Sequence, residues 1–391
     1  MRAAAIVAEY NPFHSGHAYH IKKTRDMGFT HIAAVMSGSL VQRGDVAVAD
    51  QHQRAAAAVG GGAGLVLELA PPYSLASARD FAMGAVSVID SLGCISALSF
   101  GSEECDIVRL CGCLDKITAI SSQSLKPLIS SGLTYPQAIA RLVPEYGGLL
   151  SGPNSVLALE YLFALRGTGI EPVAIKRTVP HDGGSPSDFS SAMAIRRLLR
   201  EGRLDECGKY LCETPDPSGL YFLENGEDAI LYRLYFADKK ELLRVPGMNE
   251  GMAARLIGSL KDSAGIYELF DRAKSRNITH ARLRRAVLMY AVGATREDIY
   301  SPVEDGGAGL LPPPFARVLA ANSRGLELLA AAKKSSKMPL GHSLARLSRT
   351  SPRAKRIADL TETCARLRYH CRCDRKMPFV SEYEKNAVII K

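Results

Sequence analysis

Over its first 200 residues the chain alternates short apolar runs with segments of helical periodicity, and this alternation limits the folds open to it. The apolar runs predict buried strands at residues 3–8, 31–36, 65–69, 95–100 and 172–175. The segments with helical spacing are 17–27, 51–59, 78–92 and 154–165, and Gly28 and Gly93 follow two of them. Strands that alternate with helices across short turns are typical of a parallel α/β sheet. We therefore expect an α/β domain over residues 1–203.

The second part of the chain has a different pattern. From about residue 204 the strand signal stops, and helical spacing appears at residues 229–236, 252–259, 266–274, 280–292 and 315–333. Gly306-Gly307 and Pro312-Pro313-Pro314 interrupt these segments, as expected of helix-breaking residues. The sequence therefore predicts a mostly α-helical C-terminal domain over residues 204–391.

The basic residues are concentrated in this second part. The whole chain carries 49 Lys and Arg against 40 Asp and Glu, a net charge of +9. Residues 333–376 hold thirteen Lys or Arg and three Asp or Glu, so this stretch has a surplus of ten and the other 347 residues are close to neutral. Such a local surplus indicates a polyanionic partner for the C-terminal domain alone.

Membrane and secreted classes of protein do not fit the sequence. No stretch approaches the roughly 20 apolar residues of a membrane helix, and the apolar opening at residues 1–8 is too short for a signal peptide. The nine cysteines include no C-x-x-C pair, so we expect reduced thiols and a cytoplasmic protein. Cys364, Cys371 and Cys373 lie near His370, but the C-x-C spacing is tighter than that of structural zinc sites, and we expect no resident metal.

The clearest chemical signal follows the first predicted strand, which is where ligands of parallel α/β sheets bind. Residues 9–17 read E-Y-N-P-F-H-S-G-H and lead into a predicted helix. Gly16 lets the backbone approach a nucleotide closely, and a helix N-terminus favours phosphate. His14 and His17 can donate hydrogen bonds to phosphate oxygens as negative charge develops on them. We therefore expect His14 and His17 to be catalytic.

These residues resemble the nucleotidyltransferase superfamily that carries the HIGH-type motif, to which class I aminoacyl-tRNA synthetases also belong. A narrower resemblance, to the bacterial tRNA(Met) cytidine acetate ligases, is carried by several segments in the same order. They are residues 9–20, Ser37-Gly38, Gln42-Arg43-Gly44, Phe100-Gly101-Ser102-Glu103, Gly152-Pro153-Asn154 and Ile195-Arg196. The resemblance covers the whole first domain, extends more faintly to residues 279–285, and implies a Rossmann-like nucleotidyltransferase domain.

The resemblance also implies a reaction. Enzymes of that family activate acetate with ATP to acetyl-adenylate, release pyrophosphate, and then acetylate N4 of the wobble cytidine of elongator tRNA(Met). We therefore expect ATP, acetate and tRNA(Met) as substrates, with no obligatory protein partner and no membrane. Because no Asp-rich metal cage is visible in the sequence, we expect Mg²⁺ to accompany ATP.

By position, the ATP-binding segment of the family corresponds to residues 7–20, with further contacts at Gly101, Asn154 and Arg177. The segment comprises Val7, Ala8, Glu9, Tyr10, Asn11, Pro12, Phe13, His14, Ser15, Gly16, His17, Ala18, Tyr19 and His20. Gly101 ends a predicted strand, where a small residue lets a base or ribose lie against the backbone. Asn154 can cap the following helix or bond the ribose. Arg177 can pair with a phosphate or lie solvated at the surface.

Further contacts are expected for the leaving phosphates and the two other substrates. Ser190, Ser191 and Arg196 lie where related enzymes begin a last helix, and the serines can bind phosphate or cap that helix. Arg43 follows the second strand and is expected to contact the carboxylate substrate or the RNA. His181-Asp182 can form either a proton-transfer pair or a local turn. The residues expected to bind tRNA are Arg282, Arg284, Arg285, Arg353, Lys355 and Arg356.

The sequence departs from the family pattern at several positions, and two other functions fit part of it. Met193 and Ala194 replace hydroxylated residues, Gln51 replaces a common lysine, Gly64 a common aspartate and Val46 an expected proline. An adenylyltransferase acting on a small molecule would carry the same histidine motif, but it would not need the basic helical part. A non-catalytic RNA-binding protein with a vestigial nucleotide fold would be consistent with the departures.

Overall fold

A central sheet organises the protein, which is described by a computed structural model over residues 1–176, 191–211, 215–302, 308–374 and 376–391. The strands are β1 (Ala3–Ala8), β2 (His31–Ser37), β3 (Leu40–Val41), β4 (Asp45–Val46), β5 (Leu65–Leu69), β6 (Ala97–Ser102), β7 (Glu171–Lys176), β8 (Tyr300–Pro302), β9 (Ala308–Leu310), β10 (Ala316–Ala321), β11 (Leu340–Gly341) and β12 (Val388–Ile389). The predicted strands of the first 200 residues are confirmed, with the fourth lying two residues later than expected.

Helices surround this sheet and make up most of the second part of the chain. They are α1 (Ser15–Asp26), α2 (Gln51–Gly60), α3 (Ala78–Ser91), α4 (Ile107–Thr118), α5 (Ser122–Ser130), α6 (Tyr135–Leu142), α7 (Gly147–Ser151), α8 (Pro153–Ala164), α9 (Ala192–Arg200), α10 (Leu204–Gly208), α11 (Glu227–Tyr235), α12 (Lys239–Leu243), α13 (Glu250–Leu260), α14 (Ile266–Ala273), α15 (His280–Val292), α16 (Ser323–Ser335), α17 (Leu344–Leu347) and α18 (Pro352–His370). Short 3₁₀ segments lie at Tyr73–Leu75, Pro144–Tyr146, Pro217–Gly219, Leu223–Gly226 and Arg296–Asp298.

The strand order of the main sheet is β11-β10-β5-β2-β1-β6-β7, and β12 pairs with β10. The five strands from β5 to β7 are parallel, with Ala5 of β1 paired to Ala33 of β2 on one side and to Leu98 of β6 on the other. This confirms the predicted parallel sheet. Since β1 lies between β2 and β6, the turn that follows β1 opens at the carboxyl edge of the sheet, between the ends of its two neighbours.

The sheet is buried on both faces, which explains why its strands appear as continuous apolar runs. Alternate residues of β2 belong to two separate hydrophobic clusters: Ala33 and Val35 pack in one, whereas Ile32, Ala34 and Met36 pack in the other. Because successive side chains of a strand point to opposite faces, each cluster covers one face of the sheet.

One helix prediction is wrong. Residues 315–333 were expected to be helical throughout, but residues 316–321 form β10, which pairs antiparallel with β5, and α16 begins only at Ser323. A short apolar run is compatible with a buried strand or a buried helix, and pairing with a distant strand decides between them. Asn322 marks the change, since its side-chain oxygen accepts a hydrogen bond from the Gly325 backbone N–H at 3.1 Å and caps α16.

The C-terminal part of the chain is therefore mostly helical, but it also completes the main sheet through β10, β11 and β12. A division into domains at residue 204 stays a prediction. None of the helices in the described residues is long and apolar enough to cross a membrane. The eight cysteines that the structure describes are free thiols.

A buried cluster of charges joins the two parts of the chain. Arg317 of β10 is fully buried and its Nη1 lies 3.1 Å from Glu68 Oε2 and 3.0 Å from Glu382 Oε2. The Gln51 amide also donates to Glu382 Oε2, at 2.8 Å. Hydrogen bonds and nearby positive charges overcome the effect of burial and lower the pKa of Glu382 to about 2. Removing one member of such a buried set leaves its partners unpaired, which makes the cluster a strong constraint on the assembly of the fold.

Candidate active site

A cleft of about 250 Å³ opens at the carboxyl edge of the parallel sheet. Its walls come from the ends of the parallel strands, from the turn after β1, from α8 and from the start of α9. The lining residues are Ile6, Val7, Ala8, Glu9, Tyr10, Asn11, His14, Gly16, His17, Tyr19, His20, Gln42, Arg43, Phe81, Phe100, Gly101, Asn154, Leu157, Tyr161, Ile175, Lys176, Ser191, Ala192, Met193 and Arg196. The position agrees with the rule that ligands of open α/β sheets bind beyond the carboxyl ends of the strands.

The turn between β1 and α1 is held by a buried tyrosine in an uncommon backbone conformation. Tyr10 has a φ of +46°, in the left-handed region that a bulky residue rarely adopts. Its ring is 1% exposed and meets the Phe13 ring at 5.0 Å and the His17 ring at 4.8 Å in edge-to-face geometry. This packing stabilises the tight turn, which brings the histidines back over the end of β1.

The two histidines cap α1 with their ring nitrogens. His14 Nδ1 accepts a hydrogen bond from the Gly16 N–H at 3.1 Å, and His17 Nδ1 accepts one from the His14 N–H at 3.2 Å. In a neutral imidazole one nitrogen accepts and the other donates, so both side chains carry their hydrogen on Nε2. A Cβ atom on Gly16 would lie only 2.9 Å from His14 Cε1, which explains the glycine between them. The motif therefore presents two Nε2–H donors at the cleft.

The backbone of α1, in contrast, has its first N–H groups already satisfied. The Ser15 N–H donates to the Tyr210 carbonyl at 2.8 Å, the Gly16 N–H to His14 Nδ1, and the His17 N–H to the His14 carbonyl at 2.8 Å. The sequence suggested that this helix terminus would offer its backbone to phosphate. In the structure these backbone donors are occupied within the protein, so the helix terminus does not offer them to a ligand.

A buried arginine fixes the ends of the two central strands. Arg54 of α2 is 2% exposed and donates to the Glu9 carbonyl at 2.6 Å, the Ala49 carbonyl at 3.1 Å and the Ser37 carbonyl at 3.1 Å. It also donates to the Gly38 carbonyl. One side chain thus ties the residue that begins the histidine turn to the residues that follow β2. The guanidinium has five N–H groups in a rigid plane, which suits it to this task.

The start of α9 is attached to the same turn. Arg196 Nη1 donates to the Asn11 carbonyl at 2.7 Å, and Asn11 Oδ1 accepts the Val48 N–H at 2.8 Å. Burial lowers the pKa of the Arg196 guanidinium. Ser191 caps α9 by accepting the Ala194 N–H at 3.2 Å, and both Ser191 and Arg196 line the cleft. Capping and a phosphate contact are therefore both compatible with the position of Ser191.

The loop after β2 reaches the cleft and touches α15. The Arg43 N–H donates to Glu9 Oε1 at 3.2 Å, and Arg43 Nε lies 3.9 Å from Glu9 Oε2. Arg285 of α15 donates to the Gln42 carbonyl at 3.3 Å, and burial lowers its pKa to about 10. Gly44 has a φ of +76°, and a Cβ atom there would lie 2.6 Å from Arg284 Cβ. The basic start of α15 thus packs directly on this loop.

A carboxylate positions the asparagine at the start of α8. Glu103 Oε1 accepts a hydrogen bond from Asn154 Nδ2 at 2.6 Å, and Glu103 Oε2 accepts from the Ser155 N–H at 2.7 Å and its hydroxyl at 2.9 Å. Although burial raises it, these hydrogen bonds lower the pKa of Glu103 overall. Glu103, not Asn154, therefore caps α8, and Asn154 is held at the cleft wall.

A polar chain holds the far side of α1. His20 Nε2 lies 2.9 Å from Ser99 Oγ, and Ser99 Oγ lies 2.7 Å from Thr24 Oγ1. The two hydroxyls are buried between α1 and β6. His20 is thereby oriented by β6, next to Gly101 on the same strand.

Most of the residues that the sequence singled out come together at this cleft. Those that line it are Val7, Ala8, Glu9, Tyr10, Asn11, His14, Gly16, His17, Tyr19, His20, Arg43, Gly101, Asn154, Ser191 and Arg196. Pro12, Phe13, Ser15 and Ala18 belong to the turn but do not line the cleft, and Phe13 is buried beneath it. Arg177, His181-Asp182 and Ser190 lie outside the described residues.

Several lining residues were missed by reading the sequence. Phe81, Phe100, Leu157 and Tyr161 form an apolar wall from α3, β6 and α8, and Lys176 stands at the end of β7. Lys176 could have been found, because it ends a predicted parallel strand as Gly101 does. The apolar wall could not, because its residues follow the same periodicity as the rest of the core.

The predicted tRNA-binding residues of α18 already have partners inside the protein. Arg356 donates to both carboxylate oxygens of Asp298 at 2.8 Å, and Arg353 donates to the Pro312 carbonyl at 2.6 Å. Lys355 pairs with Asp359, one turn along the helix. These contacts attach α18 to neighbouring segments. The charges of Arg353 and Arg356 are thus used for folding, and their contact with tRNA stays a prediction.

Fold and site together define a class of protein. A parallel sheet whose first strand leads into two Nε2–H imidazoles at a cleft is a nucleotidyltransferase of the HIGH type, and residues 1–384 match the family model described as HIGH Nucleotidyl Transferase. The chain is 33% identical over 375 residues to the tRNA(Met) cytidine acetate ligase of Clostridium kluyveri, covering 87% of this chain and 89% of that one. It is 32% identical over 373 residues to the enzyme of the same name from Syntrophotalea carbinolica, covering 89% and 86%. The chain belongs to the tRNA(Met) cytidine acetate ligase family.

Solved structures agree with this assignment. The crystal structure of Thermotoga maritima TmcAL bound with alpha-thio ATP superimposes with a TM-score of 0.85 at 27% identity, and the whole of each chain is covered. The apo form of the same protein gives a TM-score of 0.88 at 26% identity, again over both whole chains.

Proposed function

We propose that the protein activates acetate with ATP and transfers the acetyl group to N4 of the wobble cytidine of elongator tRNA(Met). The observation that carries this proposal is the pair of His14 and His17 imidazoles, which lie at the cleft with ring centroids 3.8 Å apart and accept a backbone N–H at each Nδ1. Two fixed neutral donors suit a reaction in which charge develops on phosphate oxygens. Family membership supplies the two other substrates.

In the first step a carboxylate oxygen of acetate attacks the α-phosphorus of ATP. A new P–O bond forms, the bond to the β-phosphate breaks, and pyrophosphate leaves. The protein has no covalent part in this exchange, so positioning and charge stabilisation provide the catalysis. We assign the Nε2–H groups of His14 and His17 to the phosphate oxygens, and Arg43 to the carboxylate or the RNA.

We propose that Mg²⁺ enters with ATP. Across the parts of the chain that the structure describes, no group of three or more His, Cys, Asp or Glu side chains could hold a metal ion. Such a site is not required, because Mg²⁺ keeps several waters and binds chiefly through substrate phosphates in nucleotide enzymes. Its chemistry would be to neutralise phosphate charge, which adds to the effect of the two imidazoles.

In the second step the cytidine amine attacks the acetyl carbonyl of the mixed anhydride. The C–N bond forms, the C–O bond to AMP breaks, and the amine loses one proton. A wobble base lies in a single-stranded loop, so it can be turned outward without opening a helix. The loop at Gln42–Arg43, which joins the cleft to α15, is proposed as the place where this base enters. We place both steps in the cytoplasm, where the tRNA and the free thiols of the protein belong.

One experiment tests the function. Pyrophosphate exchange with ATP is measured with and without acetate, and tRNA(Met) treated with the complete system is digested and its nucleosides weighed by mass spectrometry. Acetate-dependent exchange together with N4-acetylcytidine is the expected result. Exchange without modified tRNA would indicate a small-molecule acceptor, and no exchange at all would leave only an RNA-binding role; either result overturns the proposal.

A further inference from the structure

We infer that the exposed aromatic side chains at the end of α11 bind unpaired bases of the RNA substrate. We call Tyr232, Tyr235 and Phe236 the aromatic patch. This inference rests on the proposed function, because it presupposes that the substrate is a tRNA. It adds a second RNA contact, outside the cleft where the reacting cytidine is bound.

The patch is unusual for its exposure. Tyr232 is 69% exposed, Tyr235 58% and Phe236 73%. Among the described residues only one other aromatic side chain, Tyr135, exposes more than half of its surface, at 56%. Three of these four rings thus lie within five consecutive positions. A cluster of large exposed rings indicates an interaction surface, because aromatic side chains that stay in contact with water contribute little to the stability of the fold.

The helix itself does not need these rings for its packing. The opposite face of α11 carries Ile230 and Leu234, both 2% exposed or less, which pack in the main hydrophobic cluster. Tyr232 and Phe236 are one turn apart and meet edge to face with ring centroids 5.1 Å apart. Each ring therefore holds its neighbour in place while a face stays accessible, which lowers the entropy lost when a flat ligand binds.

The charges beside the patch favour a polyanion over another apolar surface. Residues 232–244 contain Arg233, Lys239, Lys240 and Arg244 against Asp238 and Glu241. Lys239 Nζ lies 3.3 Å from Glu250 Oε2 and Arg244 Nη2 lies 3.9 Å from Glu297 Oε2, but both pairs are exposed to solvent and weak, so these cations can exchange to phosphate. The two acids of the segment itself serve the fold: Asp238 Oδ1 accepts the Glu241 N–H at 2.7 Å and caps α12, and Glu241 accepts the Tyr290 hydroxyl at 3.0 Å. Lys239 and Lys240 follow the rings on the exposed surface.

Aromatic faces next to lysine and arginine form the combination that binds single-stranded nucleic acid. Bases stack on the rings, and the cations meet the phosphates between them. A base-paired helix would offer only phosphates, because its bases are already stacked. The patch therefore fits an RNA segment with unpaired bases, such as a tRNA loop.

The patch belongs to the same packed unit as the proposed entrance to the cleft. α11 packs on α15, and Arg285 of α15 donates to the Gln42 carbonyl in the loop that lines the cleft. One folded RNA of tRNA size can span both places.

The test compares the Y232A/Y235A/F236A triple variant with Tyr135→Ala, which removes an equally exposed ring from α6. The dissociation constant for elongator tRNA(Met) is measured at fixed salt, with a fully paired RNA duplex as a second probe. We expect the triple variant to bind tRNA(Met) at least about tenfold more weakly, because it loses the rings on which the bases stack. Binding of the duplex should be unchanged, and Tyr135→Ala should match the wild type with both probes.

Two results would overturn the inference: equal tRNA affinity in the triple variant, or a wild-type dimer that the triple variant dissociates, which would assign the patch to a second copy of the chain. If the triple variant does not fold, the single variants Tyr232→Ala and Phe236→Ala replace it, and each should bind tRNA(Met) more weakly than the wild type. Acetate-dependent pyrophosphate exchange, measured without tRNA, should be the same in all variants. If the wild type acetylates tRNA while the triple variant binds it normally, only this inference fails. If the wild type acetylates nothing, the proposed function fails.

Discussion

The His14 and His17 imidazoles lie with their ring centroids 3.8 Å apart and their planes inclined by 33°, and each accepts a backbone N–H at Nδ1. The same two hydrogen bonds cap α1 and leave both hydrogens on Nε2. Helix capping and the proposed catalysis thus use opposite nitrogens of the same rings. The two roles can therefore be separated by substitution.

His14→Asn should separate them. Asparagine is among the best N-cap residues, so its side-chain oxygen can replace Nδ1 and the free energy of unfolding should stay close to that of the wild type. It has no donor at the Nε2 position, and acetate-dependent pyrophosphate exchange should fall about 10²–10³-fold. His14→Ala, in contrast, should also lose about 1 kcal/mol of stability with the cap. Exchange by His14→Asn above a tenth of the wild-type rate would contradict the assigned role.

Arg54→Lys should reduce enzymatic activity by more than its loss of unfolding free energy explains. Lysine keeps the charge but cannot reach the four carbonyls of Glu9, Ser37, Gly38 and Ala49 together, so the histidine turn loses its register against β2. We expect a rise in KM for ATP or a fall in kcat beyond that of an equally destabilised control.

Arg255→Lys is a control for the loss of guanidinium-to-carbonyl hydrogen bonds away from the cleft, because the exposed Arg255 donates to the carbonyls of Ala273 at 2.9 Å and Lys274 at 2.7 Å. Urea unfolding and steady-state kinetics would be measured for both variants. If the Arg54→Lys protein that stays folded keeps the wild-type KM and kcat, as the Arg255→Lys protein should, Arg54 acts only on the fold.

The basic residues between positions 333 and 376 should fall into two groups, those that stabilise the fold and those that stay exposed to a ligand. Arg356→Ala should lower the free energy of unfolding by about 1–2 kcal/mol, because it removes two charge-assisted hydrogen bonds to Asp298 from a guanidinium that is 45% exposed. Lys333 and Lys334, exposed at the end of α16, should be neutral for stability. If they contact tRNA phosphates, their joint replacement by Gln should reduce the slope of log K against log salt by about 0.7–0.9 per contact. An unchanged slope would place the RNA elsewhere.

Glu382→Gln should change how stability depends on acid. The pKa of Glu382 in the folded protein, about 2, lies below its usual value of 4.5, so the ionised form stabilises the fold. This contribution, about 3 kcal/mol, is present above pH 4.5 and is lost as the pH falls towards 2. The difference in unfolding free energy between wild type and variant should therefore be largest near pH 7 and shrink below pH 4.5.

Glu384→Gln, an exposed neighbour, serves as the control and should follow the wild type at every pH. Burial raises the pKa of Glu68, which shares Arg317 with Glu382 and has an oxygen without a protein partner. Glu68 thus acts in the opposite direction, and a difference that grows with acid would mean that Glu382, and not Glu68, is the carboxyl whose pKa is raised.

The parts of the site that could be predicted from the sequence are those carried by consecutive residues. Residues 9–17 follow a strand and begin a helix, and a parallel sheet places the ends of its strands at one edge, so the histidine motif was expected at that edge and lies there. Gly101 and Asn154 were expected at the same site from the resemblance to the family, and both line the cleft. Local periodicity was sufficient for the position of the motif, because the strands are buried on both faces and the helices on one.

The supporting contacts were decided only by the tertiary structure. The Tyr210 carbonyl accepts the hydrogen bond of the Ser15 N–H, although the two residues are almost 200 positions apart. Glu103 caps α8, which was one of the two roles expected of Asn154. Neither contact has a local pattern, since each depends on where a distant backbone passes.

The sequence by itself determined the order of elements, the parallel sheet and the position of the histidine motif, because each follows from side-chain periodicity over about ten residues. Only the tertiary structure decided that residues 316–321 pair with β5, and that Arg356 binds Asp298 instead of standing free. The physical reason is the same in both cases. A buried strand and a surface charge each take their partner from the nearest segment in space, and that segment is not near in sequence.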